Sequence, residues 1–155
     1  MALLNSEAPM WFMFAMIAAI TWGLNYSLDE KILQHNISPY LLLILQATTG
    51  LLVYAIIFIG VNFSSLKHSL SLVVKNKVNL GLLAAAAICS VIANIFICLS
   101  IKEKNATVAG IIELIYPLFT VLFTYLLFKQ LHLTWGVVLG GVLIFIGVVL
   151  ISVVN

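Results

Sequence analysis

Apolar residues run along this chain in five long blocks: approximately Met10–Leu28, Pro39–Val61, Val78–Ser100, Ala106–Phe128 and Trp135–Val154. About 20 apolar residues are needed to cross a bilayer core of roughly 30 Å. Each block meets that length and is too long and too apolar for an ordinary core helix. None alternates polar and apolar residues as a transmembrane β-strand would. The pattern therefore predicts an all-α membrane protein: five transmembrane helices with short loops, forming one domain over residues 1–155. Short loops make successive spans antiparallel.

Two stretches outside the blocks bear on this reading. Met1–Pro9 contains no Lys or Arg, and no small-x-small cleavage pattern follows the first block. The first span is thus expected to be retained rather than removed as a signal peptide. Between the second and third spans, Leu66, Leu70 and Val73 fall at i, i+4, i+7, with Lys67, His68 and Lys75 between them. That spacing fits a short helix lying on the membrane surface; a solvated linker is the plain alternative.

Composition agrees with the pattern. Of 155 residues, 64% are hydrophobic, seven are lysine and five are acidic. Mean hydropathy is +1.23. A soluble domain carries roughly 25% charged residues, so twelve charges exclude a water-soluble enzyme. A net charge of +2 without a single arginine argues against a nucleic-acid binder, which needs a basic face. Counted on alternate sides, Lys67, Lys75, Lys77 and Lys129 oppose Lys31, Lys102 and Lys104. Cytoplasmic loops carry the excess of lysine, so the near-even split leans only slightly to a cytoplasmic N-terminus and permits insertion in both orientations.

Polar residues inside the first four spans fall on single helix faces. Thr21 and Asn25 are four apart, as are Gln46, Gly50 and Tyr54, and Ser90, Asn94 and Cys98; Glu113, Tyr116, Thr120 and Thr124 follow i, i+3, i+7, i+11. In a bilayer such a face must turn toward protein or a water-filled cavity. At 1.5 Å per residue, Gln46 and Glu113 each lie roughly 10 Å below the same membrane face, with Asn94 and Asn25 near that level and Thr21 and Ser90 just deeper. This layer is a candidate substrate- or proton-binding site. The competing reading is interhelical hydrogen bonding, at about 0.6–2 kcal/mol per contact.

Glu113 stands apart as the one acid inside an expected span, the other eleven charges lying outside, and an ionised carboxylate there is costly. Pro117 follows four residues later and cannot donate a hydrogen bond to the Glu113 carbonyl, which predicts a kink. Tyr116 is placed to hydrogen-bond the acid. Glu113 could hold a cationic group or exchange a proton, or be satisfied by a neighbouring helix. In the last span, Gly136, Gly140 and Gly147 line one face and suit close helix packing or a dimer contact. Cys89 and Cys98 are nine apart in one span and cannot bridge within it. The three histidines lie in separate loops without ligand spacing, so no metal or other cofactor is implied. Paired acids, Ser–His or Cys–His arrangements within a span, and a phosphate-binding loop are all lacking, which argues against an enzyme or an ATP-driven pump.

Several of these residues form a known signature. Trp22-Gly23-x-Asn25 resembles the WG-containing segment of EamA domains in the drug/metabolite transporter superfamily. Asn105-Ala106-Thr107-Val108-Ala109, followed by Glu113-x-x-Tyr116-Pro117-x-Phe119-Thr120, resembles the entry and core of that domain's fourth helix. Leu126-Leu127-Phe128, a short turn and Gly136–Ile151 resemble its ending. One position departs: Gln130 stands where the family carries Glu. The resemblance implies a secondary transporter or exporter of a small polar or amphipathic metabolite, multi-pass in a bacterial inner membrane. Typical members pair two five-helix repeats of inverted topology around the substrate cavity. This chain supplies one repeat, so the resemblance implies a homodimer, which could be antiparallel, or a second EamA half. A flippase for a lipid-linked precursor and a non-transporting structural subunit are the other readings.

Overall fold

In a computed structural model, residues 10–60, 63–131 and 133–154 are described. Met1–Pro9 and His132 therefore lie outside the described residues. Those described form seven helices and no strand: α1 (Met10–Leu33), α2 (Pro39–Gly60), α3 (Phe63–Lys75), α4 (Lys77–Glu103), α5 (Ala106–Glu113), α6 (Tyr116–Phe128) and α7 (Trp135–Val154). Five stretches are long and apolar enough to cross a membrane: α1, α2, α4, α5 with α6, and α7.

The helix ends follow from local chemistry. Helix α1 ends at Leu33, and Asn36 takes the left-handed conformation (φ 60°) with its N–H on the Leu33 carbonyl. Asn tolerates that conformation better than most residues. Pro39, fixed near helical φ, then opens α2. Helices α4 and α7 start with side-chain caps: the Asn76 Oδ1 accepts from Val78 N–H at 2.9 Å, and the Thr134 Oγ1 from Val137 N–H at 3.3 Å. Lys129 ends α6 in the left-handed region, its ammonium 5.4 Å from the Tyr125 ring centroid.

Two boundaries differ from the hydropathy blocks. The first block stops at Leu28, but the helix continues through Asp29, Glu30 and Lys31 to Leu33. Charge ends a hydropathy run without ending a helix, because Asp-Glu-Lys-Ile-Leu contains no breaker. Glu113 is thus not the only acid within a membrane-length helix. The fourth block is two helices rather than one, interrupted at Leu114 and Ile115. The stretch from Leu66 to Lys75 is helical, with Leu66 and Val73 half-buried and Leu70 exposed.

The described chain falls into two compact units. In the first, residues 10–32 and 100–154, α5 packs against α7. Its buried positions are Asp29, Ile101, Ala106, Ala109, Gly141 and Val148. In the second, residues 33–99, Leu33, Pro39, Leu42 and Cys98 are buried, and the Cys98 thiol faces the Pro39 carbonyl at 4.0 Å. Elsewhere large apolar side chains point outward: Ile59 is 82% exposed and Leu143 70%. Exposed apolar area on this scale is unfavourable in water. A lipid surround removes that cost while each helix satisfies its own backbone.

Candidate functional site

The site grows from helix α5. Its first turn leaves N–H groups without intrahelical partners. The Asn105 side chain accepts from Val108 N–H at 2.8 Å, the ordinary N-cap bond. The Ala106 N–H is taken by Glu30 Oε2 of α1, also at 2.8 Å. A carboxylate at a helix N-terminus further gains from the helix dipole. The sequence Asn105-Ala106 thus starts α5 and docks it on α1.

The other end of α5 is set by Pro117. Lacking an N–H, it cannot bond the Glu113 carbonyl, and the chain tightens instead: Leu114 N–H reaches Ile111 O and Ile115 N–H reaches Ile112 O, each at 3.2 Å. Helix α6 then restarts at Tyr116 with Pro117 in its first turn. Glu113 therefore occupies the last position of α5.

There it meets α1 again. The Tyr26 hydroxyl donates to Glu113 Oε2 at 2.5 Å. Gly110, one turn before Glu113, lets the Tyr26 ring approach: a Cβ at Gly110 would lie 3.3 Å from Tyr26 Cδ2. Trp22, one turn earlier in α1, sits against the same ring, with centroids 5.6 Å apart and planes at 52°. Tyr26 and Glu30 are four apart in α1, while Ala106 and Glu113 are seven apart in α5. The two polar contacts run in opposite order along the helices, so α1 and α5 are antiparallel here. Beside them, Asn25 Nδ2 donates to Asp29 Oδ2 at 3.0 Å, and Asp29 is 5% exposed, the one buried charged side chain among the described residues.

The sequence-derived candidates divide between the units. Glu113 and Asn25 are half-buried in the first, Glu113 in the α1–α5 contact and Asn25 bonded to Asp29 within α1. Thr21 bonds the Ile17 and Ala18 carbonyls of its own helix, each at 2.9 Å, and Tyr116 is exposed. The hydroxyl that reaches Glu113 is Tyr26's, not Tyr116's. Gln46, Ser90 and Asn94 belong to the second unit. There Gln46 is half-buried, and Asn94 Nδ2 donates to the Ser90 carbonyl one turn back at 2.9 Å. A Cβ on Gly140 or Gly147 would meet nothing within 4 Å, and one on Gly136 would meet only Thr134 Oγ1 at 3.9 Å. The close approach is made at Gly141, where a Cβ would lie 2.7 Å from Leu118 Cδ2. Near it, Pro117, Leu118 and Val121 of α6 and Val137, Gly140 and Phe145 of α7 help line a largely apolar cavity of about 560 Å³.

Sequence pattern alone did not single out Tyr26, Asp29, Glu30 or Gly110. The signals exist: Trp22, Tyr26 and Glu30 repeat at i, i+4, i+8, and Gly110 and Glu113 at i, i+3.

Compared with known families, residues 9–153 match the model of the EamA-like transporter family. No curated protein and no solved structure matches the chain significantly.

Proposed function

The chain belongs to the EamA-like transporter family, and from that membership we propose a small secondary transporter, or exporter, of a polar or amphipathic metabolite that engages Glu113. The family makes it a multi-pass membrane transporter of the drug/metabolite superfamily. The finer reading is carried by one observation. An acid in the middle of an apolar span is held at a helix break, in contact with a hydroxyl rather than with a counter-ion. Such an acid suits a cationic group or a proton, because an ionised carboxylate within a membrane is costly and either event offsets its charge. In this reading Asn25, Thr21 and Tyr116 are the polar residues of the same unit that accompany Glu113.

One five-helix repeat encloses no second half. A dimer of repeats, most simply two copies inserted in opposite senses, supplies it, and the lysine balance permits this. The test uses proteoliposomes holding the full chain, a panel of small organic cations and metabolites, and a pH gradient. Flux of a panel member that disappears in Glu113→Gln supports the reading; equal flux in both proteins overturns it. Single cysteines near each terminus, in a background lacking Cys89 and Cys98, report orientation. Labelling of each terminus from both sides supports the antiparallel pair.

A second reading is favoured by the apolar cavity between α6 and α7. Its lining suits an acyl chain, as a flippase of a lipid-linked precursor requires. Transbilayer movement of a fluorescent polyprenyl-phosphate lipid, with no flux of the soluble panel, would select it.

A further inference from the structure

Glu113 already has a partner, and that partner comes from another helix. We infer that Tyr26 is a positioning residue for Glu113: its hydroxyl holds the carboxylate in place and competes with whatever else binds it. This rests on the reading of Glu113 as the binding group.

Three observations carry it. The hydroxyl donates to Oε2 of Glu113. The ring is fixed from two sides, by Gly110 below it and by Trp22 beside it, so the donor does not wander. Of the helices packed on α5, α7 carries no titratable or charged side chain, so α1 supplies the partner. On α1 the other ionisable groups nearby are Asp29, bonded to Asn25, and Glu30, bonded to Ala106 N–H; on α6, Tyr116 is exposed.

The consequence concerns occupancy. A carboxylate accepting from a phenol is stabilised as it stands. A proton on Glu113 removes the charge that strengthens this bond, and a cationic group competes for the carboxylate's lone pairs. Either event weakens the hold of the Tyr26 hydroxyl. Because this bond joins α1 to α5, loading Glu113 loosens one end of that junction, while Glu30 still holds the other.

The experiment needs no known substrate. N,N′-dicyclohexylcarbodiimide reacts with protonated carboxyl groups in apolar surroundings, and mass spectrometry of the full chain in liposomes gives a labelling rate for each acid. Tyr26→Phe keeps the ring on Gly110 and removes the hydroxyl. Its labelling at Glu113 should rise on the order of tenfold, the loss of a hydrogen bond to a charged group, with Asp29 and Glu30 unchanged. An unchanged Glu113 rate overturns the inference. So does an equal rise at all three acids, which is what general loosening would give. Gly110→Ala moves the ring by a few tenths of an ångström and should give a smaller rise at Glu113 alone; it decides the matter if Tyr26→Phe does not fold. Failure of the Glu113 transport reading looks different: Glu113→Gln would then carry flux like the native chain, whatever the labelling rates.

Discussion

The Tyr26 hydroxyl donates to the Glu113 carboxylate across 87 residues of sequence, tying the end of α5 to α1. This bond separates stability from chemistry. In Glu113→Gln the side-chain amide oxygen still accepts from Tyr26, so the fold should lose no more than about 1 kcal/mol while charge and proton exchange are gone. Tyr26→Phe keeps the carboxylate but leaves it without its donor, and should cost about 1.5–3 kcal/mol. Thermal unfolding in detergent should therefore rank Tyr26→Phe below Glu113→Gln in stability, with the reverse order for loss of flux. The opposite stability ranking would mean the hydroxyl contributes little to holding α5.

The break between α5 and α6 gives a second expectation. Pro117→Ala restores an N–H that can reach the Glu113 carbonyl, and the span from Ala106 to Phe128 becomes able to form one continuous helix. Amide hydrogen exchange around Leu114–Leu118 should slow in the variant. Glu113 would then turn with a straightened helix and leave the Tyr26 ring, so flux should fall although helix content rises. Unchanged exchange would place the cause of the break elsewhere than in the proline.

The start of α5 has two acceptors serving two different N–H groups, Asn105 for Val108 and Glu30 for Ala106. Asn105→Ala should cost about 0.5–2 kcal/mol, as for other lost N-caps. Glu30→Ala should expose the Ala106 amide to exchange while leaving the Val108 amide protected. The two amides are separable by fragment-level exchange, and identical behaviour in both variants would show that α5 frays as one unit.

How much of this could be read in the sequence depended on the kind of interaction. The spans were legible because hydropathy over 20 residues is a property of the chain itself. The break near Pro117 was legible because a missing N–H is covalent. The partner of Glu113 was not: Tyr116 lies closer in sequence, yet its direction on α6 exposes it, while Tyr26 is brought up by tertiary packing. Asp29 and Glu30 fall beyond the first hydropathy block because such a run stops at charge, whereas the helix runs on to Leu33, ahead of Asn36 and Pro39. The acids at this helix end need the structure to be placed, since only the structure shows Asn25 beside Asp29 and the α5 N-terminus against Glu30.

The glycines of α7 make the last case, because their pattern and their packing disagree. Gly136, Gly140 and Gly147 form the regular stripe, yet Gly141, off that stripe, is where α6 comes close. A methyl at Gly141 would press on the end of the Leu118 side chain, which can swing into the adjoining cavity. Gly141→Ala should therefore be mild, about 1 kcal/mol or less, the gain in helix propensity offsetting part of the crowding. Gly141→Leu leaves no such escape and should cost about 1–3 kcal/mol. Gly140 and Gly147 face open space within one chain, so Gly140→Ala and Gly147→Ala should hold or raise thermal stability. If the stripe pairs two copies, Gly140→Leu and Gly147→Leu will lower chemical cross-linking of the dimer without lowering the stability of the single chain. Full cross-linking in both leucine variants would move the dimer contact off α7.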